Sequence, residues 1–257
     1  MTTVVSQTLY LCGRVLRNLS RQPIWIVVMV VQPMFWLLLY SQLFRRITEL
    51  PGFGTTSYID YLTPGVAVMT AFFSGSWAGM GMIEDLDRGV LERFLATPAH
   101  RGAIVFGRIL ESSIVATLQA LLILVTGLAL GATNGGAAGW LVILAASFLV
   151  AAGFAGLSHG VALRTRQEAS MIAVAQFIGL PLLFFSSLLI ARELIPGWMQ
   201  NLSLLNPVEW AVRAARGEAL PGTSWSEMGA FMLLLVGFVV ATTGFATMSF
   251  RSYQRTL

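Results

Sequence analysis

Residues 84–108 read EDLDRGVLERFLATPAHRGAIVFGR and place acidic and arginine side chains between two long apolar runs. Only 11% of the 257 residues are charged, whereas 56% are hydrophobic. A soluble domain carries about 25% charged residues, and an almost uncharged window of roughly 20 residues is long enough to cross a bilayer as a helix. The composition therefore predicts an all-α integral membrane protein in which this stretch is a polar loop between two spans.

Six apolar runs predict six transmembrane helices in a single domain that covers residues 1–257. The expected spans are residues 24–44, 62–83, 109–130, 139–163, 170–191 and 228–250. Arginines close to the span ends are more than twice as frequent on the side that holds residues 84–108. The positive-inside rule then predicts that this loop and both termini are cytoplasmic. Pro33 and Pro181 are expected to kink the first and fifth spans.

Residues 4–21 carry apolar side chains at helical spacing, with Arg14, Arg17 and Arg21 on another face. This pattern is typical of an amphipathic helix that lies in the membrane surface and points its arginines toward anionic headgroups. The same arginines are explained equally well as a positive-inside anchor for the first span.

The segment before the last span, residues 192–226, is too short for a folded domain and too apolar for a solvated loop. We predict two short helices that dip into the outer leaflet and return, which is a re-entrant segment. Asn206 is expected to cap a helix that starts at Pro207. Trp198 and Trp210 suit an interfacial aromatic belt, which is the alternative explanation for these two residues.

Within residues 84–108, a short amphipathic helix is expected from Arg88 to Leu95, and Thr97-Pro98 ends it. A short helix at the membrane surface that presents charges and a few apolar side chains is suited to docking into a groove on another protein. The alternative is a solvated turn whose charges only set the topology.

Three polar residues inside the spans are candidates for lining a transport pathway: Glu111, Gln119 and Gln176. The alternatives are an i,i+3 ion pair between Arg108 and Glu111, and hydrogen bonding between helices for the two glutamines.

The two GxxxG pairs, Gly75/Gly79 and Gly156/Gly160, permit close helix contact within the chain or between copies. The sequence has no HExxH, and GSWAG at residues 75–79 does not fit GxSxG; we predict no metal site and no catalytic residue.

Two motifs resemble the type 2 ABC exporter permeases, most closely the daunorubicin-type drug-resistance permeases. The first corresponds to the family's cytoplasmic loop and comprises Glu84, Gly89, Leu91, Glu92, Leu95, Thr97, Pro98, Arg101, Gly107 and Arg108. The second corresponds to the segment before the last span and comprises Ile195, Pro196, Gly197, Trp198, Leu205, Asn206, Pro207, Arg213 and Arg216. Six spans with these motifs at the expected places extend the resemblance over essentially the whole chain.

The resemblance implies the membrane subunit of an ATP-driven exporter that is not itself an enzyme. It implies a coupling helix that docks into an ATP-binding subunit, with these partner-binding residues: Glu84, Arg88, Gly89, Leu91, Glu92, Arg93, Leu95, Thr97, Pro98 and Arg101. Residues 4–21 would be the connecting helix, and Pro196, Trp198, Asn206 and Pro207 would shape the re-entrant segment.

The resemblance also implies partners and a location. The chain has no lysine and so cannot hold a GxxxxGK[ST] phosphate loop; ATP and Mg²⁺ would bind the partner subunit, with no cofactor in this chain. A second permease copy, identical or similar, would complete the pathway in a bacterial cell membrane, in contact with lipid and with no nucleic acid. Drugs, lipids and lipid-linked glycans fit as cargo. The alternative function is an ATP-independent secondary carrier, which usually keeps carboxylates near mid-membrane.

Overall fold

The computed structural model describes residues 23–44, 46, 48, 57–89, 101–133, 135–190, 192–217 and 225–254. All regular structure in these residues is helical, which confirms the all-α class. The helices are α1 (Pro23–Leu43), α2 (Tyr58–Asp87), α3 (Arg101–Ala129), α4 (Gly136–Thr165), α5 (Glu168–Phe184), α6 (Gly197–Ser203), α7 (Pro207–Arg216) and α8 (Trp225–Gln254), with a 3-10 turn at Arg192–Leu194 before α6. The predicted helix over residues 4–21 lies outside the described residues.

Four described helices are long and apolar enough to cross a membrane: α2, α3 from Ile104, α4, and α8 as far as Tyr253. They coincide with the predicted second, third, fourth and sixth spans. Helix α1 has 21 residues, none of them charged, continues through Pro33 and coincides with the predicted first span. Six spans therefore remain a prediction, of which four are supported by the length and composition of the described helices.

The predicted fifth span differs from the structure. Helix α5 ends at Phe184, three residues after Pro181, and residues 185–190 form bends, so a continuous helix to Ala191 is wrong. Proline lacks the backbone N–H and its ring crowds the carbonyl of the preceding turn. The last bonds of the helix run from the N–H of Phe185 to Pro181 O (2.8 Å), at the usual α-helical spacing, and from the N–H of Ser186 to Leu183 O (3.2 Å), at the tighter 3-10 spacing.

Helix α4 is the centre of the packing and contacts α2, α3, α5, α7 and α8. The glycine pairs that the sequence singled out supply close contacts within the chain. Gly75 and Gly79 of α2 lie against α4, and Gly156 and Gly160 of α4 lie against α8. On α8, the ring of Phe238 lies over Gly153 and the ring of Phe245 lies over Gly160. Small residues therefore set the distance between the three long helices.

A polar link and an aromatic contact reinforce the packing of α2 on α4. Ser158 Oγ accepts a hydrogen bond from the N–H of Gly79 (2.9 Å) and donates one to Ser76 O (2.7 Å). Phe72 packs edge-on against Phe154, with ring centroids 4.6 Å apart. These contacts make α2 and α4 the core pair of the bundle.

The segments that the sequence placed on opposite sides of the membrane lie at opposite ends of the bundle. At one end, the Asp60 carboxylate near the start of α2 accepts a hydrogen bond from the N–H of Thr133 in the α3–α4 turn (2.6 Å). At the other end, Asp85 near the end of α2 forms an ion pair with Arg108 near the start of α3. Which end faces the cytoplasm still rests on the distribution of arginines.

A methyl group added at Gly75 is expected to destabilise the bundle. A Cβ there would lie 2.5 Å from the carbonyl oxygen and 3.0 Å from the Cα of Ala151, and backbone cannot rotate away. We expect Gly75→Ala to lower the free energy of unfolding in mild detergent by about 1–3 kcal/mol. Gly81→Ala in the same helix meets no atom within 4 Å and is expected to be neutral or to stabilise by less than about 1 kcal/mol. Equal effects of the two variants would contradict this packing.

Candidate functional site

Two groups of polar side chains occupy opposite ends of the bundle. The loop-end cluster flanks residues 90–100 and comprises Glu84, Asp85, Arg88, Arg108 and Glu111. The α7 network joins α7 to α2 and to the bends after α5, and comprises Tyr58, Tyr61, Ser187, Asn206, Glu209 and Arg216.

Arg108 is the centre of the loop-end cluster. Its guanidinium forms an ion pair with Asp85 of α2, and its Nη1 lies 3.3 Å from Glu111 Oε2 in its own helix. The expected i,i+3 pair with Glu111 is therefore confirmed, and the pair with Asp85 is an additional contact between two helices. The three side chains are only 20–30% exposed, so solvent weakens these pairs less than it would on an open surface. Arg108 thus fastens the end of α2 to the start of α3.

Glu84 and Arg88 form a second, more exposed pair at the end of α2. Their side chains are 55% and 69% exposed and approach to 2.6 Å at i,i+4 spacing. An exposed pair of this kind contributes about 0.3–0.5 kcal/mol. Arg88 and Gly89 form the turn that ends α2, and Gly89 has a φ of 64° that favours glycine.

The predicted short helix over Arg88–Leu95 is therefore not helical at its first two residues. Arg101 is the first residue of α3. The other predicted partner-binding residues lie outside the described part of the chain, as do the arginines of the connecting helix; these are Leu91, Glu92, Arg93, Leu95, Thr97, Pro98, Arg14, Arg17 and Arg21.

The structure does not gather the three pathway candidates into one site. Glu111 and Gln119 both lie on α3, and Gln176 is exposed on α5. Gln119 Oε1 is buried without a hydrogen-bond partner among the described residues. A pathway role therefore stays a prediction for all three.

Asn206 joins α7 to the end of α5. Its side chain accepts a hydrogen bond from the N–H of Val208 (2.9 Å), which confirms the predicted cap of a helix that starts at Pro207. Its Nδ2 also donates to the carbonyls of Leu182 (2.6 Å) and Phe185 (3.2 Å). The last carbonyls of a helix have no partner within it, so one side chain stabilises the start of α7 and the end of α5.

Arg216 is the most buried cation described, with 2% of its surface exposed. Nε donates to Tyr61 O (3.0 Å), Nη1 to Ser187 O (2.7 Å) and Nη2 to Leu188 O (2.5 Å). The guanidinium carbon lies 3.5 Å from the centroid of the Tyr61 ring. A Cβ at Gly65 would lie 2.9 Å from Arg216 Nη2, so the absence of a side chain at Gly65 leaves room for the guanidinium.

Glu209 supplies the opposite charge and is 1% exposed. Its Oε2 accepts hydrogen bonds from the N–H (2.6 Å) and the Oγ (2.9 Å) of Ser187. Tyr61 Oη donates to Ser187 O (2.7 Å), and Tyr58 Oη donates to Leu189 O (3.2 Å). The bends after α5 therefore obtain from side chains the hydrogen bonds that a continuous helix would have supplied.

Pro196 and Trp198, the other two residues predicted to shape the re-entrant segment, lie at the N-terminal end of α6. Pro196 precedes α6, and Trp198 is 59% exposed with its ring edge-on to Phe185. The two short helices α6 and α7 agree with the prediction for this segment. Whether they enter the outer leaflet stays a prediction.

Sequence reasoning missed Tyr61, Ser187 and Glu209, and recorded Arg216 only through the family resemblance. One signal was available: Glu209 and Arg216 are seven residues apart, so they lie on the same face of α7 as the apolar Val212. Opposite charges on an apolar face indicate a buried polar contact. Ser187 had no comparable signal, because its role depends on where α5 ends.

Comparison with known proteins identifies the family. The sequence profile described as ABC-2 type transporter matches residues 6–220, which include both polar groups. The chain belongs to the ABC-2 type transporter family. The putative transport permease ycf38 of Cyanophora paradoxa is 30% identical over 217 residues, covering 82% of this chain and 73% of the relative.

Two further relatives of this ABC-2 permease are drug-resistance proteins by name. The daunorubicin resistance ABC transporter permease protein DrrB1 of Streptomyces coeruleorubidus is 28% identical over 259 residues, covering 98% of this chain and 87% of the relative. The probable doxorubicin resistance ABC transporter permease protein DrrC of Mycobacterium tuberculosis is 25% identical over 241 residues, covering 93% and 84%. The predicted resemblance is confirmed, and the chain is a multi-pass membrane permease of the ABC type.

Arg216→Gln is expected to be strongly destabilising because it removes the charged donor from three buried carbonyls. A buried polar group left without its partner costs about 1–3 kcal/mol, so we expect a loss of about 3 kcal/mol or more. Arg213→Gln in the same helix loses a 3.9 Å pair with Glu227 and a cation–π contact with the Phe231 ring at 4.3 Å, and we expect a loss of about 1 kcal/mol. Unfolding in the same mild detergent measures both variants.

Tyr61→Phe provides a milder variant if Arg216→Gln fails to accumulate. It removes one hydrogen bond, from Tyr61 Oη to Ser187 O (2.7 Å), and is expected to cost about 1 kcal/mol. Losses no larger for Arg216→Gln than for Arg213→Gln, or none for Tyr61→Phe, would show that the α7 network does not stabilise the fold.

Proposed function

We propose that this chain is the membrane permease of an ATP-driven exporter that moves amphipathic or hydrophobic cargo, such as a drug, a lipid or a lipid-linked glycan, out of the cytoplasm. ATP and Mg²⁺ bind a separate ABC subunit, and this chain holds no cofactor. The permease pairs with a second copy or a similar chain, in a bacterial cell membrane with both termini cytoplasmic. Family membership and the drug-resistance names of two relatives support this proposal.

The observation that carries the proposal is the ion pair between Arg108 and Asp85. It joins the two helices that enter and leave residues 90–100, where we expect the coupling helix to dock into the ATPase. Because the two helix ends are fastened together, a displacement of the loop moves α2 and α3 as one body. The ATPase would supply that displacement when ATP draws its two copies together.

Helix α2 offers a route from this loop to the opposite end of the bundle. Its 30 residues span about 45 Å at 1.5 Å per residue. Asp85 near one end bonds to Arg108, and Tyr61 near the other bonds to Ser187 and Arg216. Movement of α2 would therefore shift the α7 network. This shift would change the relative populations of the inward-facing and outward-facing states of the pathway.

The cargo class follows from the scarcity of charge along the long helices. In α3, Arg108 pairs with both Asp85 and Glu111, and α4 has no acidic or arginine side chain before Arg164. A pathway with so few charges is suited to cargo that is itself apolar or amphipathic.

Removing the charges of the predicted coupling helix is expected to release the ATPase. The test is a pull-down of the tagged chain from its native membrane in gentle detergent, with co-purifying proteins identified by mass spectrometry. The double variant Glu92→Ala/Arg93→Ala should recover less of the ABC ATP-binding subunit, because docking loses one acid and one base. Arg213→Ala/Glu227→Ala removes the same two charge types at the other end of the bundle and should retain it.

Equal recovery of the ATPase by both double variants would show that Glu92 and Arg93 of the loop do not contribute to docking. If the intact chain repeatedly purifies with no ATPase, under conditions that preserve known complexes, the exporter proposal is wrong.

A secondary carrier is the second candidate, and one observation favours it. Glu209 is a buried carboxylate whose Oε1 has no hydrogen-bond partner among the described residues, and carriers use such groups to bind protons or ions. Transport that collapses with an uncoupler while ATP persists would support the carrier. Transport that survives the uncoupler and stops when ATP is depleted would support the exporter.

A further inference from the structure

A specific arginine site lies where the ends of α4 and α8 meet. Arg164 in the last turn of α4 donates from Nε to Ser249 Oγ of α8 (3.1 Å). Its guanidinium carbon lies 4.7 Å from the centroid of the Phe245 ring, and that ring in turn packs on Gly160. Two side chains of α8 therefore fix the plane and the direction of the Arg164 guanidinium.

The other two nitrogens of this guanidinium are available. Arg164 is exposed, and neither Nη1 nor Nη2 has an acceptor or an ion-pair partner within the part of the chain that the structure describes. The nearest acidic residue in the sequence, Glu168 at the start of α5, forms no ion pair with Arg164. A guanidinium held at Nε presents a planar pair of donors that matches two oxygens of a phosphate.

Arg166, two residues after Arg164, supplies a second cation at this end of α4. It is the only described residue other than glycine with a positive φ, at 53°, a conformation that disfavours side chains with a Cβ. Its guanidinium carbon lies 4.6 Å from the centroid of the Tyr253 ring, which is buried. The left-handed conformation belongs to the C-cap of α4, where the N–H of Arg166 donates to Ala162 O (2.9 Å), and this helix end turns a second arginine toward α8.

The depth of the site corresponds to lipid headgroups. Arg164 is the first charged residue of α4, after 28 uncharged positions from Gly136 to Leu163. On α8, Ser249 comes two residues before Arg251, the first charge after Glu227. The first charge at the end of an apolar helix marks the boundary between hydrocarbon and headgroups, and basic pockets between helices at this level bind anionic headgroups.

We propose that Arg164 and Arg166 form a binding site for the phosphate of an anionic phospholipid at the joined ends of α4 and α8. The adjoining surface of α8 supports a lipid rather than a protein ligand. Met248, directly before Ser249, is 66% exposed and offers an apolar side chain against which an acyl chain packs. A bound lipid would bridge the two helices and add to their contact.

The test measures thermal unfolding of the full chain in a neutral detergent with added short-chain phosphatidylglycerol, short-chain phosphatidylcholine or inorganic phosphate. A ligand that binds only the folded state raises the unfolding midpoint with its concentration. We expect phosphatidylglycerol to raise the midpoint of the wild type and phosphatidylcholine to leave it nearly unchanged. Arg164→Lys keeps the charge but loses the planar donors and the Ser249 bond, so its apparent affinity should fall about tenfold.

Arg251→Gln is the matched control because it removes a charge at the same end of α8 and should keep the full response to phosphatidylglycerol. Equal shifts with phosphatidylcholine, or an unchanged response of Arg164→Lys, would overturn the proposal. An equal shift with inorganic phosphate would identify a free-phosphate site instead of a lipid site. If phosphatidylglycerol has no effect and Arg164→Lys instead loses its ATP-binding subunit in the pull-down, the surface binds protein and the lipid proposal is wrong.

Discussion

The hydrogen bonds from Arg216 to the backbone around residue 188 are the interactions on which the far end of the bundle depends. Helix α5 ends early, and in a membrane protein each backbone group freed by that end must find a partner in the protein. Arg216 supplies donors to Ser187 and Leu188, and Glu209 accepts the N–H of Ser187. Glu209 and Arg216 lie on the same face of α7. When that face packs against the bends after α5, the two side chains meet the backbone groups that lack partners. Without α7, the interrupted α5 would leave polar backbone unpaired in an apolar environment.

The two polar groups have different electrostatic characters. The loop-end cluster is partly exposed: water and salt screen the Glu84–Arg88 pair, and they screen the Arg108–Asp85 pair less. The α7 network is almost fully buried, so each of its two charged side chains depends on the hydrogen bonds that it makes with Ser187 and with the backbone. The first arrangement suits a region that meets another protein, and the second suits a region that keeps one arrangement until a whole helix moves.

The sequence predicted those parts of the fold that depend on local chemistry. Composition and run length located the long helices, and Asn206 followed by Pro207 located the start of α7 because capping is decided within three residues. The end of α5 was not predictable, because Pro181 is compatible with either a kink or a helix end. The outcome depends on whether the freed carbonyls find donors, and those donors, Arg216 and Tyr61, are distant in sequence. The glycine pairs indicated close packing but not which helices would meet.

The pairing of α4 with α8 also fixes how these two helices can move. Phe238 and Phe245 are seven residues apart, and so are Gly153 and Gly160, over which their rings lie. If α8 moved by three residues along α4, Phe238 would lie over Gly156. The same movement would bring Phe245 against Leu163, which is buried and leaves no room for the ring. No neighbouring register accommodates both rings, so sliding of one helix along the other is blocked. A transition of the permease that keeps these contacts therefore moves α4 and α8 together, with the displacement taken up at their other neighbours.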